Sequence, residues 1–286
     1  MRTDQSRRSE NIEDYRGRRF GGKPAGIGIG GILIALALAY FFNIDPRTVL
    51  GMQQAARQMT QPQGGEADGP PVVGAPTDAA ADFVAAVLGD TEDTWGEIFQ
   101  AAGERYPPPK LVLFSEQVST GCGFATSGAG PFYCPADQKV YIDLSFYDQL
   151  EREFQAPGDF ARAYVLAHEV GHHVQTIIGT SAKVRAAQQR GDQEQANQLQ
   201  VRMELQADCY AGIWANHANR SRQILEEGDI EEGLQAASAV GDDTIQRRVQ
   251  GHVVPESFTH GSARQRMEWF QRGLQSGSMD ACNTFQ

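Results

Sequence analysis

The chain has 286 residues, 41% of them hydrophobic and 21% charged, with a formal net charge of -11. That length accommodates one domain of ordinary size with appendages. The acidic balance excludes a nucleic-acid partner, which would need a basic surface to offset phosphates.

Residues 1–23 are polar, carry seven Lys/Arg against four acids and show no apolar periodicity, the composition of a disordered arm. From Pro24 to Ile44 no charged residue occurs, and about 20 apolar residues suffice for one transmembrane helix. A cleaved signal peptide is the runner-up. It is opposed by the long polar segment before the run and by Tyr40, Phe41, Phe42 and Asn43, where small residues should mark a cleavage site. The arm's positive excess predicts a single pass through the bacterial cytoplasmic membrane, with a cytoplasmic N terminus and an extracytoplasmic C-terminal domain. Gly26, Gly28 and Gly31 spell G-x-G-x-x-G, but no strand precedes them, so a dinucleotide site is rejected. The Gly26 to Gly30 spacing leaves self-association through this helix open.

Residues 45–76 are Gln-, Gly- and Pro-rich and read as a linker, followed by a folded domain over 77–286. Thr77 is the expected N-cap of a helix reaching Val87, with a second short helix over Thr94 to Ala102. Lys110 to Phe114 and Lys139 to Leu144 read as strands, with Pro131 to Tyr133 a partner of the latter and Ser119 to Cys134 a glycine-rich segment. Asp159, after Pro157 and Gly158, is placed to cap a long amphipathic helix that ends before Gly179. A polar stretch from Gln188 to Gln200 leads into another helix running to about Ala218. Two more are expected near Asp229 to Val249 and over Ser262 to Leu274.

The four cysteines, Cys122, Cys134, Cys209 and Cys282, form no C-x-x-C pair. An even number in an exported domain fits two disulfides, Cys122 with Cys134 and Cys209 with Cys282. The alternative is four buried thiols.

The long helix carries His168-Glu169-Val170-Gly171-His172, an H-E-x-x-H run. The next carries Glu204 and Asp208, as E-x-x-x-D, 32 positions beyond His172. Residues four apart stack on one helix face, so both imidazoles can address one ion. His168, His172 and Glu204 form the candidate ligand set, and two imidazoles with one carboxylate favour Zn2+ with a fourth position left for water. Glu169 is then the candidate general base. Asp208, one turn beyond Glu204, is expected to accept from the second ring nitrogen of a ligand histidine. His173 points about 100° away from His172 and reads as a packed or surface residue. His260, before a predicted helix, is the candidate donor to a developing oxyanion, and the strand over 139–144 a candidate edge for an extended peptide.

By further marks the chain resembles the bacterial neutral zinc metallopeptidase family, a gluzincin-like group of single-pass membrane proteins. Those marks are Cys122-Gly123, Gly130 to Pro135, Tyr141 to Leu144, Gly158 to Ala161, Ala167 to Gln175, Glu204 to Cys209 and Thr259 to Gly261. The likeness runs from about Tyr106 to Phe285. It implies an α+β fold, a mostly helical zincin-like (gluzincin) domain with a small β-sheet, preceded by one transmembrane helix. It also implies zinc and a peptide or protein substrate. A reading from a different class is a catalytically idle, zinc-stabilised membrane protein that binds partners, and hydrolysis of amides other than peptides is a third.

Overall fold

The computed structural model describes residues 1–17, 72–73, 76 and 78–285. The apolar run 24–44 lies outside them. Among the described residues no helix is long and apolar enough to cross a membrane.

Five strands form one sheet in the order β2, β1, β3, β7, β6, where β1 is Ile12–Asp14, β2 Val72–Val73, β3 Lys110–Phe114, β6 Phe132–Cys134 and β7 Lys139–Asp143. β1, β3 and β7 are parallel, and the flanking β2 and β6 are antiparallel to their neighbours. A hairpin of β4 (Gln117–Thr120) and β5 (Gly123–Thr126) occupies the glycine-rich segment. The Cys122–Cys134 disulfide ties its turn to the end of β6. Eight α-helices follow among the described residues: α1 Ala79–Ala101, α2 Ser145–Arg152, α3 Asp159–Ile177, α4 Thr180–Gln188, α5 Gln193–Arg222, α6 Asp229–Ala239, α7 Asp242–Gln250 and α8 Ala263–Ser276. The α+β class and the mostly helical character with a small sheet are those expected.

The N-terminal segment departs most from expectation. Residues 1–17 are not a disordered arm but part of the same compact unit as residues 71–286. Ile12 is buried against the core, and β1 is hydrogen-bonded on both edges. Glu13 is buried and receives the ammonium groups of Lys110 and Lys139, each at 2.7 Å. The arm's cations are also engaged within the domain: Arg7 with Glu92 and Asp93, Arg8 with Asp82, Arg16 with Asp14 and Asp78. The Met1 ammonium pairs with Asp159 at 2.6 Å and Asp229 at 3.2 Å. Residues 72–73, placed in the linker from composition, are likewise a strand.

Burial opposes ionisation of Glu13, but the two lysines outweigh it and hold its carboxyl below its ordinary value of 4.5. Its contribution to stability is therefore present above pH 4.5 and lost as pH falls through the lower folded value. Glu13→Gln is expected to flatten the acid limb of unfolding free energy against pH. An unchanged acid limb would show that the Lys110–Glu13–Lys139 bridge carries no such weight.

Other boundaries move for local reasons. One helix, α1, replaces the two expected, with Asp78 accepting from the Ala81 amide as N-cap. Gly89 lies in its interior where the N-terminal segment crosses; a Cβ on Gly89 would sit 2.6 Å from the Arg7 carbonyl oxygen. Gly158, not Asp159, caps α3, while Gly179 follows its end with φ +82, as expected of that glycine. α5 starts at Gln193 because Asp192 and Gln195 form a reciprocal capping box, so much of the polar stretch is helix. The single helix expected over 229–249 breaks at Gly241, where a Cβ would meet the Ala263 backbone at 2.3 Å. The strand over 139–144 is not an edge: β7 lies between β3 and β6, and β6 is the terminal strand on that side of the sheet.

The core lies between the sheet and the helices. α5 and α8 cross so closely that a Cβ on Gly273 would meet the Cys209 carbonyl oxygen at 1.9 Å. The Cys209–Cys282 disulfide fastens the C-terminal tail to α5, and Gln206 Nε2 donates to the Cys282 carbonyl at 3.0 Å. This crossing fixes α5, and therefore Glu204 and Asp208, against the rest of the domain.

Candidate metal centre

α3 and α5 bring His168, His172 and Glu204 together, with one ligand atom of each within 4.8 Å of the others. Glu204 Oε2 lies 3.1 Å from His168 Nε2 and 3.4 Å from His172 Nε2. The two imidazole centroids are 4.8 Å apart and nearly perpendicular, at 88°. His168 and Glu204 are buried, and His172 is half-buried.

The second nitrogen of each ring is engaged elsewhere. His168 Nδ1 lies 2.8 Å from Asp208 Oδ1, and His172 Nδ1 lies 2.8 Å from Gln175 Oε1. Both partners are acceptors, so each Nδ1 carries a hydrogen and each Nε2 is the nitrogen that would give its lone pair to an ion at the shared point. Gln175 is itself held, its amide donating to the Met203 carbonyl at 2.7 Å. Two neutral imidazoles with one carboxylate form a donor set that fits zinc with an open position. Asp208 stands where the E-x-x-x-D spacing placed it.

Gly171 allows the two helices to approach. A Cβ there would meet the Ala207 carbonyl oxygen at 3.0 Å and its Cα at 3.1 Å. Gly171→Ala must push α5 away by a few tenths of an ångström, drawing Glu204 from the histidines. Zinc affinity is expected to fall roughly tenfold, the scale seen when the support of metal ligands is disturbed. Competition with a chromogenic chelator measures it, and an affinity equal to wild type would refute this role for the glycine.

Arg266, on α8, was not legible in the sequence. Its Nε and Nη2 donate to the two Asp208 oxygens at 2.8 and 2.9 Å. The Tyr164 hydroxyl donates to the same carboxylate. Burial works against ionised Asp208, yet Arg266 and His168 outweigh it and hold its carboxyl down at about 2. Burial also opposes a charged His168, but Asp208 and Glu204 raise its pKa to about 9.

Glu169 lines the same cleft and is buried, with no hydrogen-bond partner among the described residues. Burial lifts its carboxyl above the ordinary range, although His168 and His172 pull the other way. His173 turns away, as expected: Nδ1 meets the Tyr133 hydroxyl at 3.0 Å and Nε2 the Pro107 carbonyl at 2.7 Å.

His260 also lines the cleft, half exposed. A second residue missed in the sequence, Asp242, organises its loop. One Asp242 oxygen accepts the backbone N–H groups of Thr259, His260 and Gly261 at 2.7, 2.6 and 3.0 Å, and the other lies 3.2 Å from His260 Nδ1. The hydrogen bond to Asp242 comes first among the influences raising the His260 pKa. Phe132 and Tyr133 of the edge strand β6 line the same cleft, with Gly130 and Pro131.

No solved structure matches the chain. An uncharacterized protein of Escherichia coli strain K12, YpfJ, is 46% identical over 293 residues, covering 100% of this chain and 99% of its own length. An uncharacterized protein of Mycobacterium tuberculosis strain H37Rv, Rv2575, is 47% identical over 190 residues, 63% of each chain. A family model described as "Putative neutral zinc metallopeptidase" matches residues 1–285. Together with the convergence of His168, His172 and Glu204, that match makes the chain a member of the neutral zinc metallopeptidase family.

Proposed function

We propose that the chain is a zinc-dependent peptidase acting outside the cytoplasm. The observation that carries this reading is the convergence of His168, His172 and Glu204 beside Glu169, a buried carboxylate with no hydrogen-bond partner among the described residues. His168, His172 and Glu204 would hold the ion. A zinc ion there supplies the Lewis acidity that makes water a nucleophile near neutral pH. Glu169 takes the proton of the attacking water and returns it to the leaving amine. Asp208 keeps the His168 ring in the tautomer that presents Nε2, and Arg266 keeps Asp208 ionised. His260, fixed by Asp242, is the side-chain donor available to the oxygen of the scissile carbonyl. The outer edge of β6, which pairs with no strand among the described residues, is the place for an extended peptide, which would add to the sheet as a further strand. Two disulfides in the domain support an oxidising compartment.

The test is cleavage of a peptide library by the full chain, before and after zinc is removed with a chelator and restored. Cleavage should vanish on removal and return with zinc. Bound zinc with no chelator-sensitive cleavage would favour the idle, partner-binding reading instead.

A further inference from the structure

The N-terminal segment bears on which side of the membrane the chain's two ends occupy. β1 is an interior strand, paired with β2 along one edge and β3 along the other. The domain is shaped to receive the residues before it. Ser9 N–H donates to the Ala85 carbonyl at 2.9 Å, and Arg2 N–H to the Ile224 carbonyl at 2.8 Å. Gly89 leaves the notch through which the Arg7 backbone passes. Without the segment, Lys110 and Lys139 would lose Glu13 and Leu111 would lose Ile12 as its partner across the sheet.

We infer that residues 1–17 and the metal centre occupy the same side of the membrane, both outside the cytoplasm. The chain leaves the sheet after β1 and rejoins it at β2, with Asp14 opposite Val72 and Glu13 opposite Val73. Paired strands lie about 4.8 Å apart, so departure and return are neighbours on one side. Strands hydrogen-bonded in one sheet cannot lie on opposite sides of a bilayer, so residues 1–17 share the side of the strands they pair with. The run from Pro24 to Ile44 has the length for one crossing, since each needs about 20 residues. On this inference the N terminus lies with the domain, and not on the cytoplasmic side expected from the positive-inside pattern. Exchange of β1 between copies offers no escape, because copies crossing once in the same sense would all hold their N termini on the far side. Three of the cations behind that pattern, Arg7, Arg8 and Arg16, serve ion pairs inside the domain. The Cys122–Cys134 and Cys209–Cys282 disulfides set which side it is.

Cysteine accessibility in the full-length chain tests this. No native cysteine is free, so Gln5→Cys and Gln271→Cys, both at exposed positions, each supply one thiol, and Glu10→Cys is a second exposed probe of the N-terminal segment. Spheroplasts are treated with a membrane-impermeant maleimide before and after lysis. The expected result is equal labelling of all three before lysis, at the level reached after it. Labelling of Gln271→Cys in intact spheroplasts, with Gln5→Cys and Glu10→Cys rising more than tenfold only on lysis, would overturn the proposal. Equal protection of all three would keep the shared side and overturn its extracytoplasmic placement.

Discussion

Glu169→Gln is expected to reduce kcat/KM for a cleaved peptide by about 10²–10⁴-fold while zinc remains bound, a rise in barrier of about 3–5 kcal/mol. The amide keeps the shape of the carboxylate but cannot accept the proton of the attacking water. Zinc should be retained because the converging trio is His168, His172 and Glu204, and Glu169 is not among them. Folding should also survive: Glu169 has no hydrogen-bond partner among the described residues, so the substitution leaves no protein group unpaired. Activity, bound zinc and thermal midpoint measured on one preparation separate the possibilities. Equal activity in the variant would remove Glu169 from the reaction, and lost zinc would assign it to metal binding instead.

The centre's innermost residues are legible because their geometry is local. H-E-x-x-H fixes two imidazoles on one helix face, and E-x-x-x-D fixes Glu204 and Asp208 relative to each other. What the spacing lacks is the distance between the helices, which Gly171 sets by its contact with Ala207. Arg266 and Asp242 carry no such signature. Arg266 lies in Ala263-Arg264-Gln265-Arg266, which reads as a polar first helical turn, and only the close packing of α8 on α5 turns it inward to Asp208. Asp242 opens α7 and meets Thr259 to Gly261 across a loop. The first strand was hidden for a related reason. Ile12 is the single aliphatic residue between Arg2 and Arg16, too little for an alternating pattern, and its strand partner Leu111 lies about a hundred residues away. Elements defined by their own periodicity were foreseen, whereas elements defined by distant partners were not.

Arg266→Met tests the deepest of those distant partnerships and is expected to lower the unfolding free energy by about 3–5 kcal/mol. Methionine occupies a similar volume, so the loss measures charge and hydrogen bonding more than packing. Asp208 is fully buried, and Arg266 supplies both a bidentate pair and the opposite charge that keeps it ionised. Without the guanidinium, ionised Asp208 keeps only His168 and the Tyr164 hydroxyl to offset an interior charge, and a protonated Asp208 is a poorer acceptor for His168 Nδ1–H. Stability and zinc affinity should therefore fall together. The double variant Asp208→Asn with Arg266→Met separates the two effects. It removes the stranded charge, so part of the stability should return, with a coupling between the sites of roughly 0.5–3 kcal/mol. Zinc affinity should not return in full, because an amide oxygen can accept from Nδ1–H, as Gln175 does at His172, but lacks the negative charge that strengthens the His168 ring as a metal donor. Unfolding and zinc titration of the four proteins of the cycle read both quantities. Strictly additive losses would mean that Arg266 and Asp208 act independently, and a double variant regaining full zinc affinity would show that the His168 ring needs no charged partner.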